Sequence, residues 1–172
     1  MAQKYSIFII LFIFIASCRQ ESNNESIIPS ISIKKVEQLK LNGKDSAVNF
    51  IIAYADGDGD IGLNTDDTIP PFNESSPFYN NLIIEIYEVV NGKASKIPKP
   101  GFPGEFLNYN DRIINLTPTG KSKSISGEIQ MLLKASPSAG IFPDSMYYSF
   151  QLYDRALNKS NKAQTPVLRF EF

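Results

Sequence analysis

At 172 residues, with 17 Lys+Arg against 18 Asp+Glu, one cysteine and neither histidine nor tryptophan, the chain has the length of one domain with short extensions. A formal net charge of −1, without any Lys/Arg cluster interleaved with aromatics, excludes a nucleic-acid partner. The missing histidine removes Ser-His-Asp and Cys-His catalysis and conventional zinc sites, which sets the chain against enzymatic function.

The first residues, MAQKYSIFIILFIFIASC, place one cation, Lys4, before an apolar run from Ile7 to Ile15 and the small pair Ala16-Ser17. This is the layout of a signal peptide over 1–17. The run is shorter than the roughly 20 residues of a membrane span, and an uncleaved N-terminal anchor is the alternative. Ile15-Ala16-Ser17-Cys18 resembles the bacterial lipobox, in which the thiol is lipidated and the cysteine becomes the first residue after cleavage. Cys18 has no second cysteine to pair with. The motif therefore implies attachment to a lipid bilayer through N-terminal acyl chains, each buried methylene contributing about 0.8 kcal/mol. Arg19 replaces the aspartate that retains many lipoproteins at an inner membrane, which favours the outer membrane of a cell envelope. Residues 18–30 are polar and aperiodic and read as a flexible tether.

From 31 to 172 short strands alternate with turn residues. Ile31, Ile33, Val36, Leu39 and Leu41 suggest a first, imperfect strand, closed by Asn42-Gly43. In 47–55 Val48, Phe50, Ile52 and Tyr54 share a face, and 82–90 is β-branched and ends at the tight-hairpin signal Asn91-Gly92. Ile113, Ile114 and Leu116 mark a short strand before the turn Pro118-Thr119-Gly120. In 124–134 Ile125, Ile129, Met131 and Leu133 alternate with polar residues. Met146, Tyr148, Phe150 and Leu152 line one side of 146–153, and Leu168, Phe170 and Phe172 one side of 166–172. No segment past the leader keeps a helical period. About seven strands in one domain predict an all-β, immunoglobulin/fibronectin-like antiparallel sandwich.

The connection after the second strand begins YADGDGDIGLNTDD. A hard cation such as Ca²⁺ takes six to eight oxygens, and carboxylates two residues apart suit it. Asp56, Asp58 and Asp60 have that spacing, with Gly57 and Gly59 letting the backbone curl. The EF-hand pattern is not met, because Ile61 stands where glycine is required and Asp67 where glutamate is. Further ligands must come from another segment. In an immunoglobulin-like sandwich the loop before the last strand lies at the same end; here it carries Asp154, Asn158 and Asn161. The candidate Ca²⁺ ligands are thus Asp56, Asp58, Asp60, Asp67 and Asp154. Two alternatives stand beside this: a tight solvated turn with an Asp154–Arg155 surface pair, and acid chemistry of the glycosidase type.

The connections 56–81 and 97–111 are long for a compact domain, and such loops are functional or disordered. Their aromatics argue against disorder. Phe72, Phe78 and Tyr79 are candidates for contact with a partner protein or glycan, or else pin the loop to the sandwich.

Three segments together, NFIIAYADGDGDIGL, RIINLTPTGKSKSISGEI and FQLYDRALNKSNKAQTP, resemble a group of uncharacterised Bacteroidota lipoproteins. The resemblance covers most of 46–172 and implies an envelope lipoprotein with an Ig-like domain, with no known activity attached. Leu157 departs from it, standing where glycine is frequent. Asp45-Ser46-Ala47, Asp67-Thr68-Ile69 and Asp144-Ser145-Met146 resemble an O-glycosylation signal of exported Bacteroidota proteins, which makes Ser46, Thr68 and Ser145 candidate acceptors; ordinary strand-start turns explain the triplets equally. The expectation is a non-enzymatic, membrane-anchored binding or assembly module with a Ca²⁺-stabilised loop. The alternatives are a metal-free structural subunit of an outer-membrane uptake or secretion complex, and a carboxylate-dependent glycan hydrolase.

Overall fold

A computed structural model of the chain describes residues 26–114, 116, 124–134 and 143–172. The leader, Cys18, most of the tether and the turn at Pro118-Thr119-Gly120 lie outside the described residues. Among those described, every regular element is a strand, and none is a helix long and apolar enough to cross a membrane.

Two antiparallel sheets face each other. In one, β2 (Lys44–Asp56) lies between β1 (Ser30–Leu41) and β5 (Ile125–Lys134). In the other, β3 (Leu82–Val90) lies between β4 (Lys93–Lys96) and β6 (Ser145–Leu152), whose far side carries β7 (Ala163–Gln164) and β8 (Leu168–Arg169). First, second and fifth strands against third, sixth and last is immunoglobulin-type pairing, with β4 extending the second sheet.

The alternation in β2 and β6 builds the core. Val48, Phe50 and Ile52 from one sheet and Ile84, Ile86, Met146, Tyr148, Phe150 and Leu152 from the other are fully or nearly fully buried. Phe50 meets Tyr148 and Phe150 edge-on, with ring centroids 4.9 and 5.2 Å apart. Across β5, Ile129, Met131 and Leu133 stand opposite Ile52, Phe50 and Val48, as their alternation predicts. Gly127 pairs with Tyr54, and a Cβ there would lie 2.7 Å from the Tyr54 hydroxyl, so glycine lets that ring cross the strand. Both Asn-Gly pairs turn tight hairpins with positive φ at each residue: 54° and 83° at Asn42-Gly43, 50° and 75° at Asn91-Gly92.

The imperfect first strand has a simple cause. Ile31 and Ile33 pair with Tyr54 and Ile52, then the register skips Lys34, so Val36 meets Phe50. One extra residue moves the inward positions from odd to even numbers, and a strict period-2 reading breaks there.

Two expectations need correction. Among the described residues, Ile113, Ile114 and Leu116 belong to no strand, and Ile114 makes an isolated bridge to Leu63. The C-terminal strand is reduced to Leu168–Arg169 and preceded by β7, because Pro166 has no N–H to give the sheet. There the Thr165 hydroxyl accepts the Tyr148 N–H at 3.1 Å, filling a ladder position with a side chain. The described residues hold eight strands, in keeping with the expected all-β sandwich of about seven, and β4 is the return arm of the hairpin that Asn91-Gly92 signals.

Phe50→Ala removes the ring that both sheets share and is expected to lower stability by about 3–5 kcal/mol, measured by urea unfolding; a loss under about 1 kcal/mol would contradict this packing.

Candidate metal centre

β2 ends at Asp56, and β6 ends at Leu152 two residues before Asp154. The two following loops meet at one end of the sandwich. Ile61 and Asp154 form a backbone bridge, and Arg155 N–H donates to the Asp60 carbonyl at 3.2 Å. The predicted convergence of these loops is present.

Asp56, Asp60 and Asp154 each bring a carboxylate oxygen within 4.8 Å of the others. Each carboxylate also holds backbone. Asp56 Oδ2 accepts the Asp60 N–H at 2.9 Å, curling the loop through Gly59 at φ +70°. Asp60 Oδ2 accepts the Ala156 N–H at 3.1 Å, tying the first loop to the second. Asp154 accepts the backbone N–H and the side-chain amide of Asn158, both at 2.8 Å. The oxygens not used in this way are unusual: Asp56 Oδ1, Asp58 Oδ1 and Asp60 Oδ1 are buried without a hydrogen-bond partner. A fourth such oxygen, on Asp45, lies at the opposite end, where Asp45 Oδ2 holds the Glu171 N–H.

The residues are 2% (Asp56) and 1% (Asp154) exposed, whereas Asp58 and Asp60 are half-buried. Burial pushes the Asp56 carboxyl from 3.8 to about 6, and the charges of Asp58, Asp60 and Asp154 push the same way against the stabilising Asp60 N–H. Burial likewise raises Asp60, reinforced by Asp154 and Asp58. Unpaired buried carboxylates are costly unless protonated or bound to a cation. Three or four hard oxygens at this spacing suit a hard divalent cation.

Not every predicted ligand belongs to the group. Asp67 stands apart, its carboxylate gripped by the Arg155 guanidinium and by the Asn64 N–H, which hold its pKa below the usual value. Arg155 thus pairs with Asp67 and not with Asp154. Asn161 is committed elsewhere, both amide atoms bonding the Ile31 backbone at 3.0 and 2.9 Å. Asp58 is outside the closest trio yet near enough for its charge to raise Asp56 and Asp60. Leu157 takes φ +66°, the left-handed conformation that glycine adopts freely and a leucine seldom does.

The aromatic loop is pinned by a residue that no local pattern announces. The Arg112 guanidinium donates to four carbonyls, those of Phe72, Tyr79, Asn64 and Asp67, at 2.6–3.2 Å, and lies 4.8 Å from the Tyr79 ring centre. Phe72 sits under Arg155, and Phe78 meets Tyr153 edge-on. A shallow cavity of about 550 Å³ remains beside them, lined by Phe72, Tyr79, Arg112, Asp67 and Glu74 among others. Of the candidate glycan acceptors, Thr68 is exposed, while Ser46 and Ser145 are half-buried in strands and the Ser46 hydroxyl donates to the Leu39 carbonyl.

Fold and site together define a β-sandwich with a carboxylate cluster buried between two loops at one end. No protein-family model, no curated protein and no solved structure matches this chain.

Arg112→Met strips four carbonyls of their charged donor and is expected to cost about 2–3 kcal/mol, with limited proteolysis opening 64–79 ahead of the strands; resistance equal to the parent would show the loop is held by something else. The raised Asp56 pKa has a definite pH signature. Its stabilising proton is fully held below 3.8 and lost as pH rises through about 6, so in chelating buffer the fold is expected to be more stable at pH 5 than at pH 7, by about 1 kcal/mol of the roughly 3 kcal/mol that the whole shift represents. Chemical unfolding at both pH values checks this, and higher stability at pH 7 would contradict it. Below about pH 4 Glu85 opposes the trend. Burial raises its pKa, but Lys96, Lys162 and Tyr87 outweigh that and hold it at about 2, so its stabilisation is lost on acidification.

Proposed function

We propose that this protein is a non-enzymatic lipoprotein of the outer envelope, anchored through Cys18, whose carboxylate cluster binds Ca²⁺ and thereby stiffens one end of a binding or assembly domain. The single observation that carries the cation is the set of buried carboxylate oxygens on Asp56, Asp58 and Asp60 that have no hydrogen-bond donor. Desolvated oxygens of this kind, beside a third carboxylate from another loop, are stabilised by a proton or by a hard cation, and above the Asp56 value of about 6 the cation fits them better. Ca²⁺ is preferred to Mg²⁺ because the ligands come from two irregular loops, and Ca²⁺ tolerates irregular geometry that Mg²⁺ does not. The lipobox-like Ile15-Ala16-Ser17-Cys18 supports the anchor. The non-enzymatic reading rests on the absence of histidine and on the burial of Asp56 and Asp154, which keeps both from a sugar ring. The cavity at Phe72, Tyr79 and Arg112 is the place where a partner protein or glycan would touch.

A metal-free assembly subunit is the second reading. It is favoured by the Arg112 pin and the Arg155–Asp67 pair, which already lock this end without an ion.

The test is a melting curve of the chain without its first 18 residues, in chelator and across added Ca²⁺. At a hundred times the dissociation constant the gain is about 2.7 kcal/mol, a shift of roughly 5–10 °C for a domain of this size, with a smaller response to Mg²⁺. Asp56→Asn is expected to abolish the shift while melting no lower than the parent in chelator, since it removes a buried charge. An unmoved parent curve would transfer the conclusion to the metal-free reading.

A further inference from the structure

The chain path fixes which end of the sandwich a lipid anchor holds. β1 starts at Ser30 opposite Ala55, next to Asp56. Immediately before it, the Ser26 carbonyl accepts the Gly57 N–H at 2.9 Å, and Asn161 clamps both backbone atoms of Ile31. Ser26, Ile28 and Pro29 line one cavity with Asp56 and Gly57. The tether therefore leaves the domain alongside the carboxylate cluster. From Cys18 to Ser26 the chain spans at most about 29 Å fully extended. The opposite end, with the Asn42-Gly43 and Asn91-Gly92 turns, is farther away by the length of β2, whose 13 residues extend about 40 Å. That end is beyond the tether's reach while the domain stands upright.

We infer that the carboxylate-cluster end is the face the domain turns to the bilayer, and that the cation held there docks it against anionic lipid headgroups. This rests on the readings of Cys18 as a lipid anchor and of the cluster as a cation site. Without a cation, Asp56, Asp58, Asp60 and Asp154 repel headgroup phosphates, and within a Debye length of about 8–10 Å that repulsion is effective. With Ca²⁺ bound, two of those negative charges are offset on the side where Asp58 and Asp60 are half-exposed, and phosphate oxygens join as ligands of a kind Ca²⁺ accepts. Ile27, Ile28 and Ile69, 59%, 53% and 74% exposed, supply apolar side chains for the headgroup boundary. The opposite end exposes Leu41 and Val90 as well, so apolar exposure does not choose between the ends; the tether and the cation do.

The experiment uses the full lipidated chain in phosphatidylethanolamine vesicles containing phosphatidylglycerol. Because Cys18 is the sole cysteine and is blocked by lipid, Thr65→Cys and Lys93→Cys each place one fluorophore, at the cluster end and the far end. Energy transfer to an acceptor on the headgroups is expected to be at least threefold stronger from position 65 than from 93 in Ca²⁺, and to fall at 65 in chelator. Equal transfer from both, stronger transfer from 93, or transfer at 65 that ignores Ca²⁺ would overturn the inference. Asp60→Asn is expected to abolish the Ca²⁺ response at 65. A second arm sediments the chain lacking its first 18 residues with the same vesicles, where Ca²⁺ is expected to increase binding severalfold and no increase counts against docking. Intact mass reports separately whether Cys18 is acylated, and the melting curve whether Ca²⁺ binds, so failure of either underlying reading is distinguishable from failure of the docking.

Discussion

Like charges held in a desolvated space set the terms for one whole end of this sandwich. Asp56, Asp60 and Asp154 approach within 4.8 Å because each is also a backbone clasp. Asp56 curls its own loop, Asp60 reaches across to Ala156, and Asp154 closes the turn at Asn158. Moving any carboxylate away to relieve the repulsion would undo a hydrogen bond that shapes the connection. The loops therefore cannot relax the cluster by themselves, and relief has to come from a proton or a cation.

The clasps matter because they join the two sheets where the core gives out. Along the body of the sandwich, Phe50, Tyr148 and Phe150 interlock, and apolar burial suffices. At the end of β2 the side chains turn acidic, and polar contacts between 57–81 and 153–162 join the buried Ile61 and Leu63. Ser26 and Asn161 extend the same set of contacts to the start of β1. The first strand, both loops and the cluster form one hydrogen-bonded unit that reaches back to Ser26.

How much of this was legible in the sequence depends on the range of the interaction. The alternation of Val48-Phe50-Ile52 and Met146-Tyr148-Phe150-Leu152, and the two Asn-Gly turns, are local and were readable without the fold. The meeting of Asp56 and Asp60 with Asp154 was readable once a sandwich was assumed, because topology alone places those loops at one end. What was not readable depends on single exceptions or distant partners. The bulge at Lys34 has no composition cue, Pro166 splits a strand that otherwise alternates, and Asp67 looks like a ligand until Arg155 is seen to claim it. Arg112 is an isolated arginine in NDRIIN, with no signal that its partners lie 33 to 48 residues earlier.

Arg112 has a consequence for how this surface can change. Its hydrogen bonds to Asn64, Asp67, Phe72 and Tyr79 all go to carbonyl oxygens, groups that every amino acid supplies, with the Tyr79 ring as its one stacked side chain. Much of the loop's shape is thus held through its main chain, with Asp67, Phe72 and Phe78 adding side-chain contacts, while Thr65, Ile69 and Glu74 stand exposed. A lineage could rewrite those letters one after another, changing what the protein touches, without rebuilding the platform that displays them. The arginine acts as a fixed clamp under an interchangeable face.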